Sequence, residues 1–203
     1  RNSVVTLPPL ENPIGATTLG DLLLRAADNY PDSDAIVFPE RRQSYAELAE
    51  RAYQRARGLQ GLGVRAGDHV GLLLPTCIEF PEFFFGIALC GAVAVPINAR
   101  YQARELAYLI ENADLVTIVT TDQIAEHVDF VERLTAGLSR LDLAEQPLKL
   151  DIETAPKLRN MVLLGDSTPA GFVTEVQFDR LAENCSVEDV QITRMRARVR
   201  DPG

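Results

Sequence analysis

The chain has 203 residues, enough to bury a substantial core, and its 46% apolar and 24% charged residues are the proportions of a globular protein. A net charge of −9 argues against nucleic acid as a main partner, because phosphate backbones call for clustered Lys and Arg. No apolar run approaches a transmembrane helix, and no apolar stretch follows a basic start as in a signal peptide. Cys77, Cys90 and Cys185 are widely spaced with no C-x-x-C pair, which predicts neither a zinc site nor a disulfide framework. Together these features predict a cytoplasmic location with reduced thiols. The sequence begins at Arg1 rather than Met, which reads as a start inside a longer reading frame or after trimming.

Residues 1–17 hold Pro8, Pro9 and Pro13 with no periodicity and predict an extended arm. Thr18 to Asp21 is a T-x-x-D helix start. Leu22, Leu23, Ala26, Ala27 and Tyr30 follow at helical spacing until Pro31. Residues 35–38 predict a short strand. Ser44 and Glu47 form a capping box, ahead of a helix whose one face carries Tyr45, Leu48, Ala49, Ala52, Tyr53, Ala56 and Leu59. Gly58, Gly61 and Gly63 read as cap and turn residues at its end.

Residues 69–74 predict an apolar strand. Residues 76–90 predict a helix with Phe83, Phe84 and Ile87 inward. Pro81 belongs in its first turn, since an interior proline costs about 3 kcal/mol. Residues 92–96 are a strand, 104–112 a helix with Leu106, Leu109 and Ile110, and 115–119 a β-branched strand. Asp122 reads as the cap of a helix bearing Val128, Val131 and Leu134. Residues 138–157 read as a long loop, 160–164 as a strand, and 174–177 as the start of a helix with Phe178 and Leu181. Apolar strands joined by amphipathic helices predict an α/β fold with a mostly parallel sheet covered on both faces. No linker is evident, so residues 1–203 read as one domain.

The catalytic inventory is small. His69 opens a strand and His127 lies near Glu126 and Asp129; both read as surface residues. Neither H-E-x-x-H nor G-x-S-x-G occurs. The glycines at 58, 61 and 63 end a helix rather than open one, so they offer no anion-binding N–H groups. Phe80, Phe83, Phe84 and Phe85 read as core packing rather than a lipid channel.

Two segments and the strand between them are more informative. Gln43-Ser44-Tyr45-Ala46-Glu47-Leu48 opens the long helix, and Gly67 to Pro75 forms a tight turn into a strand. Gly86-Ile87-Ala88-Leu89-Cys90-Gly91-Ala92-Val93-Ala94-Val95-Pro96-Ile97-Asn98-Ala99-Arg100-Tyr101 then runs helix, turn, strand and loop. Their order and spacing resemble the N-terminal subdomain of adenylate-forming enzymes, and within them bacterial acyl-CoA synthetases, or fatty-acid–CoA ligases. The resemblance runs from about Thr18 to Gly203.

It implies that the intact enzyme uses ATP, Mg2+ and coenzyme A to turn a carboxylic acid, here a fatty acid, into its acyl-CoA. It also implies that the phosphate loop and catalytic lysine of that family belong to later sequence, so that no catalytic residue falls here and the fragment alone is inactive. Arg100 lies in the loop after a strand, where ligands meet parallel sheets, and the resemblance implies a contact to coenzyme A phosphate. Tyr45 and Glu47 read as a core packer and a cap.

Arg194, Arg196, Arg198 and Arg200 alternate. An extended segment would put all four on one face, with Met195, Ala197 and Val199 inward. Such a face is either a solubilising surface or a contact for anionic lipid at the inner membrane face or for acyl-CoA phosphates, at about 1 kcal/mol per charge near a membrane. Two alternatives accompany the ligase reading: an acyl-AMP ligase loading a carrier protein, and a non-catalytic interaction or homodimerisation module.

Overall fold

The computed structural model describes residues 18–124 and 128–197. Seven helices and seven strands follow one another along them, in the order α1 (Leu19–Asn29), β1 (Asp34–Val37), β2 (Arg42–Ser44), α2 (Tyr45–Gly61), β3 (His69–Leu73), α3 (Glu79–Leu89), β4 (Val93–Pro96), α4 (Ala103–Asn112), β5 (Leu115–Thr121), α5 (Phe130–Gly137), β6 (Asn160–Leu164), β7 (Val173–Thr174), α6 (Glu175–Glu183) and α7 (Val187–Arg196). A 3-10 turn at Leu141–Leu143 interrupts the long loop before β6.

The helix starts follow local chemistry. Thr18 accepts the Asp21 N–H at 3.2 Å. Ser44 Oγ accepts the Glu47 N–H at 3.2 Å while Glu47 Oε2 takes the Ser44 N–H at 2.8 Å. Reciprocal caps of this kind satisfy N–H groups that the first helical turn leaves without partners. Pro81 sits in the first turn of α3, as an unpaired N–H position allows. Gly91 adopts φ +64° and turns the chain from α3 into β4.

β4, β3, β5, β6 and β7 form one sheet in that spatial order, and all four pairings are parallel. β5 and β6 are buried along their whole length, as a parallel sheet covered on both faces requires. One face carries α1, α2, α3, α6 and α7 over Tyr53, Leu59, Phe83, Ile87, Phe178 and Val190. The other carries α4 and α5 over Leu106, Ile110, Phe130 and Leu134. β1 stands apart and pairs antiparallel with β2 in a small hairpin.

Three expectations are corrected here. Asp122 does not cap a helix. The helix after β5 is α5, capped by Asp129, which accepts the Glu132 N–H at 2.9 Å. Gly58 is not a terminal residue but lies inside α2, where a Cβ would come within 2.3 Å of the Phe178 ring.

The basic tail is not an extended strand up to residue 196. Residues Val187–Arg196 are helix α7, opened by a Ser186–Asp189 capping box. Residues two apart on a helix point to different sides. Arg194 is accordingly 8% exposed and ion-paired with Asp21, whereas Arg196 is exposed and Met195, expected inward, is 60% exposed. Arg198 and Arg200, like Val199 and His127, lie outside the described residues. Arg194 and Arg196 therefore do not share a face. Among the described residues no helix is long and apolar enough to cross a membrane.

Candidate functional site

The chain leaves β3 through α3 on the first face to reach β4 on one side. It then leaves β4 through α4 on the opposite face to reach β5 on the other side of β3. Connections that depart to opposite faces open a crevice at the carboxyl ends of the strands, which is where open α/β sheets bind ligands. The loops meeting there are residues 74–78 after β3, 97–102 after β4, 122–124 after β5 and 165–172 after β6.

Side chains tie these strand ends together. Thr120 Oγ1 donates to the Leu73 carbonyl at 3.0 Å and Thr121 Oγ1 to the Leu164 carbonyl at 3.0 Å. Both threonines are buried, and each spans to a neighbouring strand. Pairing also continues past β4, since the Ile97 N–H donates to the Leu72 carbonyl at 2.9 Å.

The loop after β4 carries Arg100. Its side chain is exposed, and its N–H donates to Asn98 Oδ1 at 2.9 Å. The carbonyls on either side of it are both held by α5: Arg133 Nη1 donates to Ala99 at 3.2 Å and to Tyr101 at 2.8 Å. Arg133 had no signal in the sequence, because its acceptors are main-chain atoms more than thirty residues away in another loop.

Asp122 lies at the end of β5, and its carboxylate accepts the Ser167 N–H at 2.8 Å. Gly165 adopts φ +124° directly against it, where a Cβ would fall 1.9 Å from Asp122 Oδ1. The aspartate thus clasps the loop after β6 to the end of β5. Burial acts to raise the Asp122 carboxyl, but bonds from the Ser167 N–H and hydroxyl and the Asp166 N–H outweigh it. The group sits below its ordinary value of 3.8.

A carboxylate depressed in the folded state adds stability above its unfolded pKa and loses it as pH falls through the folded value. Asp122→Asn is therefore expected to cost about 1 kcal/mol at pH 7, kept modest by partial exposure. The gap to the parent narrows below about pH 4 as the parent's own carboxylate is protonated. Urea unfolding across that range checks this, and a gap that stays constant with pH contradicts the clasp.

A cavity of about 340 Å3 opens beside the end of β3, lined by Phe38, Leu74, Pro75, Cys77, Phe80 and Pro81 among others. Burial pushes the Cys77 thiol up to about 11, so at neutral pH it is a protonated apolar neighbour rather than a nucleophile. Phe83 is buried in the core while Phe80, Phe84 and Phe85 are half-buried, and Phe80 lies parallel to Phe84 with centroids 6.5 Å apart.

His69 lies at the opposite, amino edge of the sheet, its Nδ1 2.6 Å from the Ala113 carbonyl. Tyr45 is half-buried against the first core and Glu47 is a cap. Among the described residues no group of three or more His, Cys, Asp or Glu could hold a metal ion.

Residues 23–182 match the family model described as AMP-binding enzyme. The chain belongs to the AMP-binding enzyme family. It is 34% identical over 159 residues to YngI of Bacillus subtilis (strain 168), provisionally named an acyl-CoA synthetase, covering 76% of this chain and 28% of that protein. It is 31% identical over 169 residues to a medium/long-chain-fatty-acid and 3-oxocholest-4-en-26-oate CoA ligase of Mycobacterium marinum (strain ATCC BAA-535 / M), covering 83% of this chain and 31% of that one. The chain thus spans about three-tenths of the length of these AMP-binding relatives.

Among solved structures, the anthranilate CoA ligase AuaEII in complex with anthranoyl-AMP superposes with a TM-score of 0.63 at 22% identity, over 85% of this chain and 29% of that one. At that identity the likeness shows the fold: the α/β layer seen here is the N-terminal part of the adenylate-forming CoA ligase fold.

Proposed function

We propose that this chain supplies the N-terminal α/β layer of an ATP-dependent acyl-CoA ligase acting on a carboxylic acid, with a fatty acid as the favoured class. The observation that carries the proposal is the AMP-binding enzyme match across residues 23–182, joined to relatives named as acyl-CoA synthetase and fatty-acid CoA ligase. In this reaction the substrate carboxylate attacks the α-phosphorus of ATP and pyrophosphate leaves. The thiol of coenzyme A then attacks the acyl-adenylate carbonyl and AMP leaves. Charge on the transferring phosphorus needs a metal ion and cationic groups.

The residues of this chain fit one part of that chemistry. Arg100 is an exposed arginine at the carboxyl edge of the sheet, the residue type that meets phosphate oxygens of coenzyme A. ATP and Mg2+ are assigned to the remaining length of the ligase, since this chain spans about three-tenths of its relatives and the resemblance places the phosphate loop in later sequence. Residues 1–203 are then one α/β unit of a cytoplasmic enzyme, and that unit does not adenylate by itself.

The test is thioester formation. The product of the full reading frame, given ATP, Mg2+, free coenzyme A and a series of fatty acids, is expected to yield acyl-CoA and AMP. The 203-residue chain alone is expected to yield neither. Transfer to a carrier-protein thiol with none to free coenzyme A would replace the ligase reading by an acyl-AMP ligase.

A further inference from the structure

The loop after β4 is held from outside itself. Residues 97–102 connect β4 to α4, and Arg100 stands in the middle of them. A six-residue surface connection bearing a long cationic side chain is ordinarily among the more mobile parts of a fold. Here one guanidinium nitrogen of Arg133 takes both carbonyls that flank Arg100, Ala99 at 3.2 Å and Tyr101 at 2.8 Å. Asn98 Oδ1 takes the Arg100 N–H between them.

One helical turn beyond Arg133, Gly137 lets α5 lie against the start of α4; a Cβ there would fall 2.5 Å from the Ala103 carbonyl. α5 is itself fixed by its Asp129 cap and by Phe130 and Leu134, both buried in the second core. The loop is thereby tied through Arg133 to a rigid element on the same face as α4.

We propose that Arg133 is a positioning residue for the coenzyme A step, holding the main chain on both sides of Arg100 so that its guanidinium is presented from a fixed base. The proposal rests on the reading of Arg100 given above. Arg133 is suited to this and not to contacting the ligand, since the nitrogen that reaches the loop is already shared by two carbonyls. A lysine at 133 carries a compact ammonium rather than a planar fork. Its three N–H donors can serve these carbonyls, but from a shorter side chain and without the fixed plane of the guanidinium.

The experiment uses the product of the full reading frame with Arg100→Met, Arg133→Met and Arg133→Lys. Acid-dependent ATP–pyrophosphate exchange and the KM for coenzyme A are measured separately. Arg133→Met is expected to raise the KM for coenzyme A about tenfold, equivalent to about 1.4 kcal/mol, while exchange stays within about twofold. Arg133→Lys is expected to recover part of the loss, and it keeps the question answerable should the methionine variant fold poorly.

Three results overturn the proposal. If Arg133→Met lowers exchange and thioester formation by the same factor, its role is only structural. If Arg100→Met raises the KM for coenzyme A while both Arg133 variants leave it unchanged, the loop needs no support and the Arg100 reading survives. If no variant moves that KM, the Arg100 reading fails, and the positioning role with it.

Discussion

Glu82→Ala is expected to lower the unfolding free energy by about 3 to 5 kcal/mol, the range for breaking a buried ion pair from one side. Glu82 is 2% exposed and lies on α3. Its Oε2 accepts from Arg55 Nε at 3.2 Å and Nη2 at 3.1 Å, and its Oε1 accepts from Gln43 Nε2 at 3.0 Å. Arg55 comes from α2, itself 8% exposed, with its guanidinium 4.8 Å from the centre of the Phe83 ring. Without Glu82 that charge keeps the more distant, partly exposed Glu175 at 3.4 Å and the exposed Asp179 at 3.9 Å.

The same network predicts the opposite sign for a coordinated change. Arg55→Met, Glu82→Met and Gln43→Leu together remove every buried polar partner at once, and most of the lost stability is expected to return. Urea unfolding of the single and triple variants decides the matter. A cost below about 1 kcal/mol for Glu82→Ala would mean that water already reaches the pair.

Phe178→Ala is expected to cost about 3 to 5 kcal/mol, the range for emptying a buried aromatic site. Phe178 on α6 is fully buried, its centroid 5.6 Å from that of Phe83. It fills the space above Gly58 of α2, where a Cβ would lie 2.3, 2.5 and 2.7 Å from three ring carbons. Gly58→Ala alone is therefore expected to destabilise by about 1 to 3 kcal/mol through overpacking, even though alanine favours a helix interior by about 0.8 to 1 kcal/mol over glycine. In a Phe178→Ala background the clash is gone and the helix preference remains. There Gly58→Ala is expected to stabilise. A double-variant cycle by urea unfolding reads this reversal directly. Effects of Gly58→Ala with the same sign in both backgrounds would show that the ring is free to move aside.

What the sequence made legible was local. Thr18, Ser44 and Thr174 announce their helices because a cap and its partner are three residues apart. The strands β3, β5 and β6 stand out because both of their faces are buried, so apolar and β-branched residues follow one another without strict alternation. The turn at Gly91 follows from a left-handed φ that glycine alone adopts freely.

What escaped depends on contacts between distant segments. β7 has only two residues, and the polar β2 is held by its hairpin partner and not by an apolar pattern. α7 buries only Val190 and Arg194, so it has little amphipathic signature, while arginines at every second position imitate a strand. Asp122 looks like a helix cap, since an aspartate after a strand commonly is one. Its actual partner, Ser167, lies 45 residues further on. At the candidate site Arg100 was visible because its loop follows an identifiable strand. Arg133 was not, because one side chain holding two carbonyls leaves no trace in residue spacing.

The proposed function makes this α/β layer part of an enzyme that adenylates a carboxylic acid. The measurement that tests it most directly is acid-dependent ATP–pyrophosphate exchange by the product of the full reading frame, with Mg2+ and fatty acids of increasing length. Exchange is expected to require both the acid and the metal and to proceed before any coenzyme A is added. Absence of exchange with every acid, or ATP turnover indifferent to the acid, would contradict it.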